Sequence, residues 1–593
     1  EPQVVTVTGV SVTATPNPAA VTVTVQATAQ VQPAAASQGV TWSSSDEALA
    51  TVNATGLVTL LRRGTVTITA RSTADSQRFG SVDLTIVCPD PRRVSSNPSE
   101  DTTWENWVPD PECFDYVVER DLSISAQLLT IEPGTVVGFE EGHGLRVRIN
   151  AGLNAEGTAD EPIRLTGTEA ERGHWWGISI ENTRHSQNVL SHTTVEYAGW
   201  TGITINGVEQ ANVRLVDDTS VRIDNSTFRQ GAAYGVSIDF DVDVMGGEGN
   251  RLIENALGPA WVWGTEVPHL NGAALTGNDV DEVVVRPVAL AESALWPAAA
   301  YRILYHTQQA FTVTDGLLTL SPGVDLRFEG EQSMLVTGEA GFSAVGTANA
   351  PIRIRGTDPT PGHWGGLGLL STNHAMNRLD HVVIEHGGGL IIGSGVSEPA
   401  NLVLSHSGDP TSVSITNTTL RQGSGYGLFV RRDTGLDGFE NNTMTGNAAG
   451  PAYVEAPVVN DLLTSNTFTG NGRDEIAVRT GTGMDIVDGA VWQDLGVPLR
   501  LTRNGSFETM VAAALTISPG VEILVGPGIG ISMRNGGGLK AVGTSSNRIS
   551  ISGAQGAWKG LDFLDAGGEL DYVDVSDGGT VAWGATDGAG AIT

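Results

Sequence analysis

Lysine is nearly missing from this sequence: Lys540 and Lys559 are the two in 593 residues. All basic side chains together number 33 against 67 Asp and Glu, a net charge of −34. A surface of that sign repels nucleic acid and anionic lipid heads, which argues against both as partners; it also repels polyanionic sugars unless a cation intervenes. The simpler meaning of the acid excess is a solvated surface that keeps an extracellular protein soluble. Cysteine is just as scarce. Cys88 and Cys113 stand in no CxxC pair and no Cys/His cluster, so zinc and redox motifs are poorly served. One Cys88–Cys113 disulfide in an exported protein is the expected use, and closing that loop is worth about 3–4 kcal/mol in the loop-entropy account. No run approaches the ~18 apolar residues that a membrane span needs. No window carries a long apolar stripe at a 3.6-residue period with caps at both ends, so helices are not expected. The chain begins at Glu1 with no initiator Met and no apolar leader. That fits export to the exterior or the cell surface with a signal peptide removed.

What is abundant points the other way, to strands and turns. There are 75 Gly and 26 Pro, with Ser, Thr, Val and Ile between them. The fold class is therefore expected to be all-β, in several domains or one repeat body, because 593 residues exceed one ordinary core. Residues 1–87 alternate apolar and polar side chains, as in "VVTVTGVSVTATP" and "VTVTVQATAQV". They continue with "VTWSSSDEALATVNATGLVTLLRRGTVTITA" (40–70), in which Trp42 suits a sandwich core and "SSD" and Gly56 suit turns. The W-S-S-x-D … A-x-V … G-x-V … G-x-x-x-I-T-A pattern resembles a bacterial Ig-like domain of group 2, found on exported surface proteins, and implies a spacer or adhesive β-sandwich. Residues 88–112, rich in Pro, Ser and acid, read as an ordered linker that a Cys88–Cys113 bridge would staple across.

Beyond it the chain repeats itself. "LTIEPGTVVGFEEG" (129–142) returns as "LTLSPGVDLRFEG" (318–330) and "LTISPGVEILVGPG" (515–528). "AEGTADEPIRLTG", "AVGTANAPIRIRG" and "AVGTSSNRISISG" follow, then "GHWWGISI", "GHWGGLGL" and "AWKGLDF". Trp107, Trp296 and Trp492 are taken as matching residues ahead of each opening phrase. Three modules result, 113–292, 293–488 and a partial 489–593. Within each, short strands separated by Gly or Asn turns recur every few tens of residues, with Asn225, Asn250, Asn255 and Asn278 answered by Asn417, Asn442, Asn447, Asn466 and Asn471. This is the pattern of a parallel β-helix, whose coils stack ~4.8 Å apart and bury one another's apolar faces. The phrases "PIRLTG…GHWWGISI…SHTTVEYAG" and "PIRIRG…GHWGGLGL…LDHVVIEHGG" resemble the right-handed parallel β-helix repeats of exported bacterial proteins, in the broad pectate-lyase-like fold. The third module stops without a capping helix or polar terminal coil, which suggests truncation, processing, or an end that pairs head-to-tail with another copy.

The resemblance implies that enzymes must be weighed, since this fold hosts pectate lyases and polygalacturonases. The latter use clustered Asp with a His and an Arg-x-Lys element; this chain has no Arg-x-Lys, and "VDD" (216–218) and "GHG" (142–144) are loose echoes. "SIDFDVDV" (237–244) is the most chemical-looking stretch. As one strand it would present Asp239, Asp241 and Asp243 on a single face with Ile238, Phe240 and Val242 inward, a stripe that could hold Ca²⁺ or be merely solvated. No other cofactor is expected. His174 and His363 match each other while the third module has Ala557, which favours turn packing over catalysis. Trp175, Trp364 and Trp558 recur in all modules and are assigned to coil packing. Trp176, Trp261 and Trp263 are the candidates for stacking on sugar rings. The leading expectation is a non-enzymatic cell-surface stalk, adhesin or fibre subunit, self-associating head-to-tail. The alternative is a carbohydrate-binding or polysaccharide-degrading β-helix, a lyase or hydrolase, with surface polysaccharide as its partner.

Overall fold

The structure, a computed structural model, describes residues 5–200, 209–286, 289–297, 302–305, 310–393, 396–481, 485–487, 489–503, 508–564, 566–579 and 592. It separates into two compact units, Glu1–Trp261 with Gly272–Asp281, and Val262–Asn271 with Glu282–Thr593. Nearly all regular structure is strand; two short 3₁₀ turns, Val267–Leu270 and Ala456–Asp461, are the helical segments among the described residues.

The first unit opens with a sandwich of two four-stranded sheets. Gly9–Thr15, Thr24–Gln32, Leu57–Leu60 and Ala50–Val52 form one; Ala19–Ala20, Phe79–Val87, Gly64–Ser72 and Val40–Ser44 form the other. The period-two alternation sends Val25, Ala27, Val58, Val66, Ile68, Leu84 and Ile86 into the space between them, with Trp42 packed at its margin. Gly56, at φ 80°, makes the turn into Leu57–Leu60; a Cβ there would collide with the carbonyl of Ala27.

The segment expected to be a linker is instead the start of the coil. Arg92–Val94 pairs in parallel with Tyr116–Val118, and Thr102–Trp104 with the phrase Leu128–Ile131. Low hydrophobicity hid these strands, because three-residue rungs leave too short a pattern to show a period. The same register corrects the match made at the opening tryptophan. Trp104 lies opposite Ile131 as Trp296 lies opposite Leu320 and Trp492 opposite Ile517, so Trp104, not Trp107, is the repeated residue.

Every third strand then pairs in parallel with its predecessor, generating three faces. Along one face of the first unit the inward side chains form the column Val137, Leu165, Val195, Phe228 and Leu252. A second face stacks Ile131, Ala155, Leu190 and Ile223. The third stacks Leu122, Leu145, Ile178, Val213 and Val236. All are buried. The second unit repeats the device with Leu326, Ile354, Ile384, Leu420 and Met444, and with Met334, Leu367, Leu402, Leu428 and Ala452. The Pro-Gly turn of each opening phrase has its glycine left-handed, Gly134 at φ 82°, Gly323 at 89° and Gly520 at 88°, as a type II turn requires.

The sandwich is welded to the first coil. The Cys88–Cys113 disulfide joins them, and Val108, Cys113 and Trp107 pack into the sandwich's own apolar cluster. The Arg63 amide donates to Asp110 Oδ2 at 2.6 Å. Beneath the junction, buried Asp115 accepts the amides of Trp107, Val108 and Val136 at 2.8–2.9 Å. Replacing both cysteines by Ala is expected to cost about 3.5 kcal/mol for a loop of this length. Hydrogen exchange of the buried amides in Gly64–Ser72 and Phe79–Val87, with and without reductant, measures it.

Candidate functional site

Chemistry-bearing side chains fall into two groups, those that recur from copy to copy and those that do not. The first group braces the coil. Glu196, fully buried, is gripped by Arg164 on the preceding rung (2.6 Å) and Arg229 on the next (2.8 Å). Its counterpart Glu385 is held by Arg421 at 2.6 Å, with Arg353 and Arg355 at 3.9 Å. The carbonyls of these two residues accept the indole N–H of Trp175 and Trp364 at 2.8 Å; Ser576 does the same for Trp558 at 2.7 Å. Trp175 stacks on Phe139 and Trp364 on Phe328. His174 and His363 make equivalent contacts to Thr168 and Thr357. The second unit adds Asp325, between Arg355 at 2.7 Å and Arg327 at 3.2 Å. Burial pushes its carboxyl up, but the hydrogen bond and charge of Arg355 and the charge of Arg327 outweigh that and leave it below its ordinary value.

The tryptophans expected to stack on sugars lie elsewhere than at an open face. Trp176 is 2 % exposed; its indole N–H donates to Asp121 Oδ1 at 2.8 Å, and the guanidinium of Arg214 lies 5.1 Å from its ring centre. Trp261 is buried as well. Trp263 is half-buried with Arg286 over its ring at 4.6 Å. For Trp176 and Trp261 the expectation is corrected: a ring without an open face has nothing to offer a pyranose. Arg214 itself, unflagged by any motif, is fully buried beside Trp176, and burial lowers its pKa to about 10.

The aspartate stripe is corrected too. Residues 237–244 are not one strand; Tyr234–Ile238 ends, Asp241 turns left-handed at φ 57°, and Val242–Gly246 begins on another face. Phe240 is thereby exposed and Asp239 buried, the reverse of the expected alternation. Asp241 and Asp243 reach Arg184 at 3.1 and 3.3 Å, and Asp218 closes on the same guanidinium. The cation among these acids is an arginine. No cluster of three metal-ligating side chains occurs among the described residues. The "GHG" and "VDD" echoes stay apart in their contacts, His143 facing Asp121 and Asp218 facing Arg184.

Members of the second group, Glu156, Ser191, Arg222 and Asp224, meet in a groove of the first unit, a cavity of about 790 Å³ lined also by His192 and Glu248, which recur as His381 and Glu440. Glu156, Ser191 and Asp224 lie directly opposite one another on three successive rungs, and Gly246 follows on a fourth. Arg222 bridges the outer two carboxylates, 2.6 Å from Glu156 and 3.0 Å from Asp224. The hydrogen bond that Arg222 donates to Glu156 is the largest cause holding its guanidinium above the ordinary value. The second copy has Val345, Ser414 and Thr416 where the first has Glu156, Arg222 and Asp224. There, Asp380 is bound by Arg378, His381 and Asn417, each at 2.9 Å. No motif marks the groove. Comparing the copies position by position would have found it.

Residues 6–80 match the family model of the bacterial Ig-like domain (group 2). A curated relative, 3-O-alpha-D-galactosyl-alpha-L-arabinofuranosidase of Bifidobacterium longum subsp. longum, is 52% identical over 59 residues, 10% of this chain and 5% of that protein. The chain thus spans one-twentieth of the length of that relative. No helix among the described residues is long and apolar enough to cross a membrane.

Two outcomes follow from the bracing. Glu196→Gln is expected to lower stability by about 2–3 kcal/mol in chemical denaturation, less than a wholly enclosed pair because Arg164 and Arg229 are partly exposed. Asp325, depressed in the folded state, contributes stability that is present above its unfolded value near about 4 and is lost as pH falls through the folded value. Thermal melting between pH 5 and 2 (roughly the carboxylate range) should therefore fall less steeply in Asp325→Asn than in the native chain.

Proposed function

We propose that this chain is part of an extracellular, cell-surface protein whose role is structural and adhesive, not enzymatic. The observation that carries the reading is the weld between sandwich and coil: one disulfide, one shared apolar cluster and the Asp110 contact make the Ig-like domain continuous with the stack behind it. Such a junction transmits position and force, which a spacer or stalk needs and a flexibly tethered catalytic domain does not. Group 2 Ig-like domains belong to exported surface proteins, and the acid excess suits that setting. The bracing supports the reading further. Glu196 and Glu385, buried in the coil, and half-buried Asp325 give their oxygens to arginines and hold rungs together. Head-to-tail association of copies belongs to the same proposal. So does export to the cell exterior.

A second reading, polysaccharide cleavage, draws on the groove carboxylates Glu156 and Asp224 and on the short likeness to a glycosidase. Each carboxylate gives one oxygen to the Arg222 guanidinium that sits between them, where a glycosidase keeps the space between its two carboxylates for the sugar. The full chain, incubated with neutral and acidic polysaccharides with and without Ca²⁺, is expected to release neither reducing ends nor unsaturated products, and antibody to it should label intact cells. Turnover abolished by Glu156→Gln would establish the second reading instead.

A further inference from the structure

We propose that the groove of the first unit is a binding site for a neutral, polyhydroxylated chain, a segment of uncharged glycan. The site gives the adhesive reading a ligand class, yet it stands or falls on binding alone, whereas surface display and turnover are read by other experiments.

Shape comes first. The groove crosses four rungs, from Glu156 through Ser191 and Asp224 to Gly246, three steps of ~4.8 Å or roughly 14 Å. Its polar groups are thus repeated at the spacing of the coils, comparable to the advance of an extended sugar chain. At about 790 Å³ it is large enough for a short oligosaccharide.

The lining chemistry narrows the class. Arg222 between Glu156 and Asp224 sets donors and acceptors side by side, with Ser191 on the rung between the carboxylates and His192 also in the lining. Vicinal hydroxyls, each able to donate and accept, match such an array. Three carboxylates, counting Glu248, face one guanidinium, so the acids of the lining outnumber its arginine. Uronates, sulfated sugars and phosphates are repelled by that balance. Among the described residues no Phe, Tyr or Trp lines the groove, so a flat apolar ligand has no such ring to stack on.

The duplication supplies the control. The same corner of the second copy keeps the coil geometry with Val345, Ser414 and Thr416, so stacking does not require Glu156, Arg222 or Asp224. In that copy Asp380 is satisfied by its neighbours Arg378, His381 and Asn417. Stacking thus does not fix Glu156, Arg222 and Asp224 at their positions; the second copy carries its guanidinium–carboxylate pair, Arg378 with Asp380, where the first has Val189 and Ser191.

The test uses the full chain and immobilised arabino-, galacto-, xylo-, manno- and gluco-oligosaccharides, with oligogalacturonate and spermidine as charged probes. At least one neutral series should bind about ten-fold or more tighter than oligogalacturonate, and the combined variant Glu156→Val, Arg222→Ser, Asp224→Thr should lose about ten-fold or more. That variant carries residues the second copy already accommodates; Glu156→Gln, alone and at a half-exposed side chain, repeats the measurement should the combined variant not fold. Preference for oligogalacturonate, preference for spermidine, no neutral series bound, or binding unchanged in both variants would each overturn the proposal.

Discussion

One constraint governs this molecule: a coil has no core of its own. Its inward side chains are covered only by the coils above and below, so each must present apolar groups at the same lateral positions as its neighbours. The columns Val137–Leu165–Val195–Phe228–Leu252 and Leu326–Ile354–Ile384–Leu420–Met444 are that requirement made visible. A shift of one residue would turn every inward side chain outward, which is why parallel register is held so strictly. Aromatic plugs, Phe139 on Trp175 and Phe328 on Trp364, fill the corners where aliphatic columns leave room.

Turns between faces expose backbone that the sheets cannot satisfy, and asparagine solves the problem by the same logic of stacking. Asn255 donates to the carbonyl of Phe228 one coil back, and Asn278 to that of Leu252; Asn447 and Asn471 do likewise for Leu420 and Met444. Each side chain serves as a backbone group for the rung beneath it, so buried polar atoms cost little. The outer faces use arginine. Of 33 basic residues all but Lys540 and Lys559 are Arg, leaving 31 (33 − 2), and the planar fork lets one guanidinium grip carboxylates on different rungs. Lysine, a point charge on a long stem, gives no such geometry.

Duplication makes the chain its own comparison. Braces such as Arg164–Glu196–Arg229 and their partners around Glu385 recur because both stacks need them. The Glu156–Arg222–Asp224 set does not recur, although the strands that carry it pair in the same register as those bearing Val345, Ser414 and Thr416. A position filled alike in both copies is one that stacking itself demands; one that differs while the pairing stays the same, as Asp325 differs from Val136, answers either to its local neighbours or to another use.

All-β character, the Ig-like start and the parallel stack were legible in the residues, because strand alternation, turn glycines and repeated phrases are local properties that survive without contacts. The Cys88–Cys113 pairing was legible by arithmetic, there being no third cysteine. Where a side chain ends up is not local. Trp176 reads like any aromatic beside a glycine, and Arg214 beside it decides its enclosure; Asp241 reads as a strand residue until its left-handed turn moves Asp243 to another face. The segment 92–104 looked like a linker because its partners lie one coil further along the chain. Glu156, Ser191 and Asp224 are separated by 35 and 33 positions in the sequence (191 − 156 and 224 − 191) and meet only through parallel pairing. Sequence alone determined that this chain must stack; tertiary structure decided which side chains the stack brings together, since rung-to-rung neighbours are set by coil length and register and by nothing written next to them.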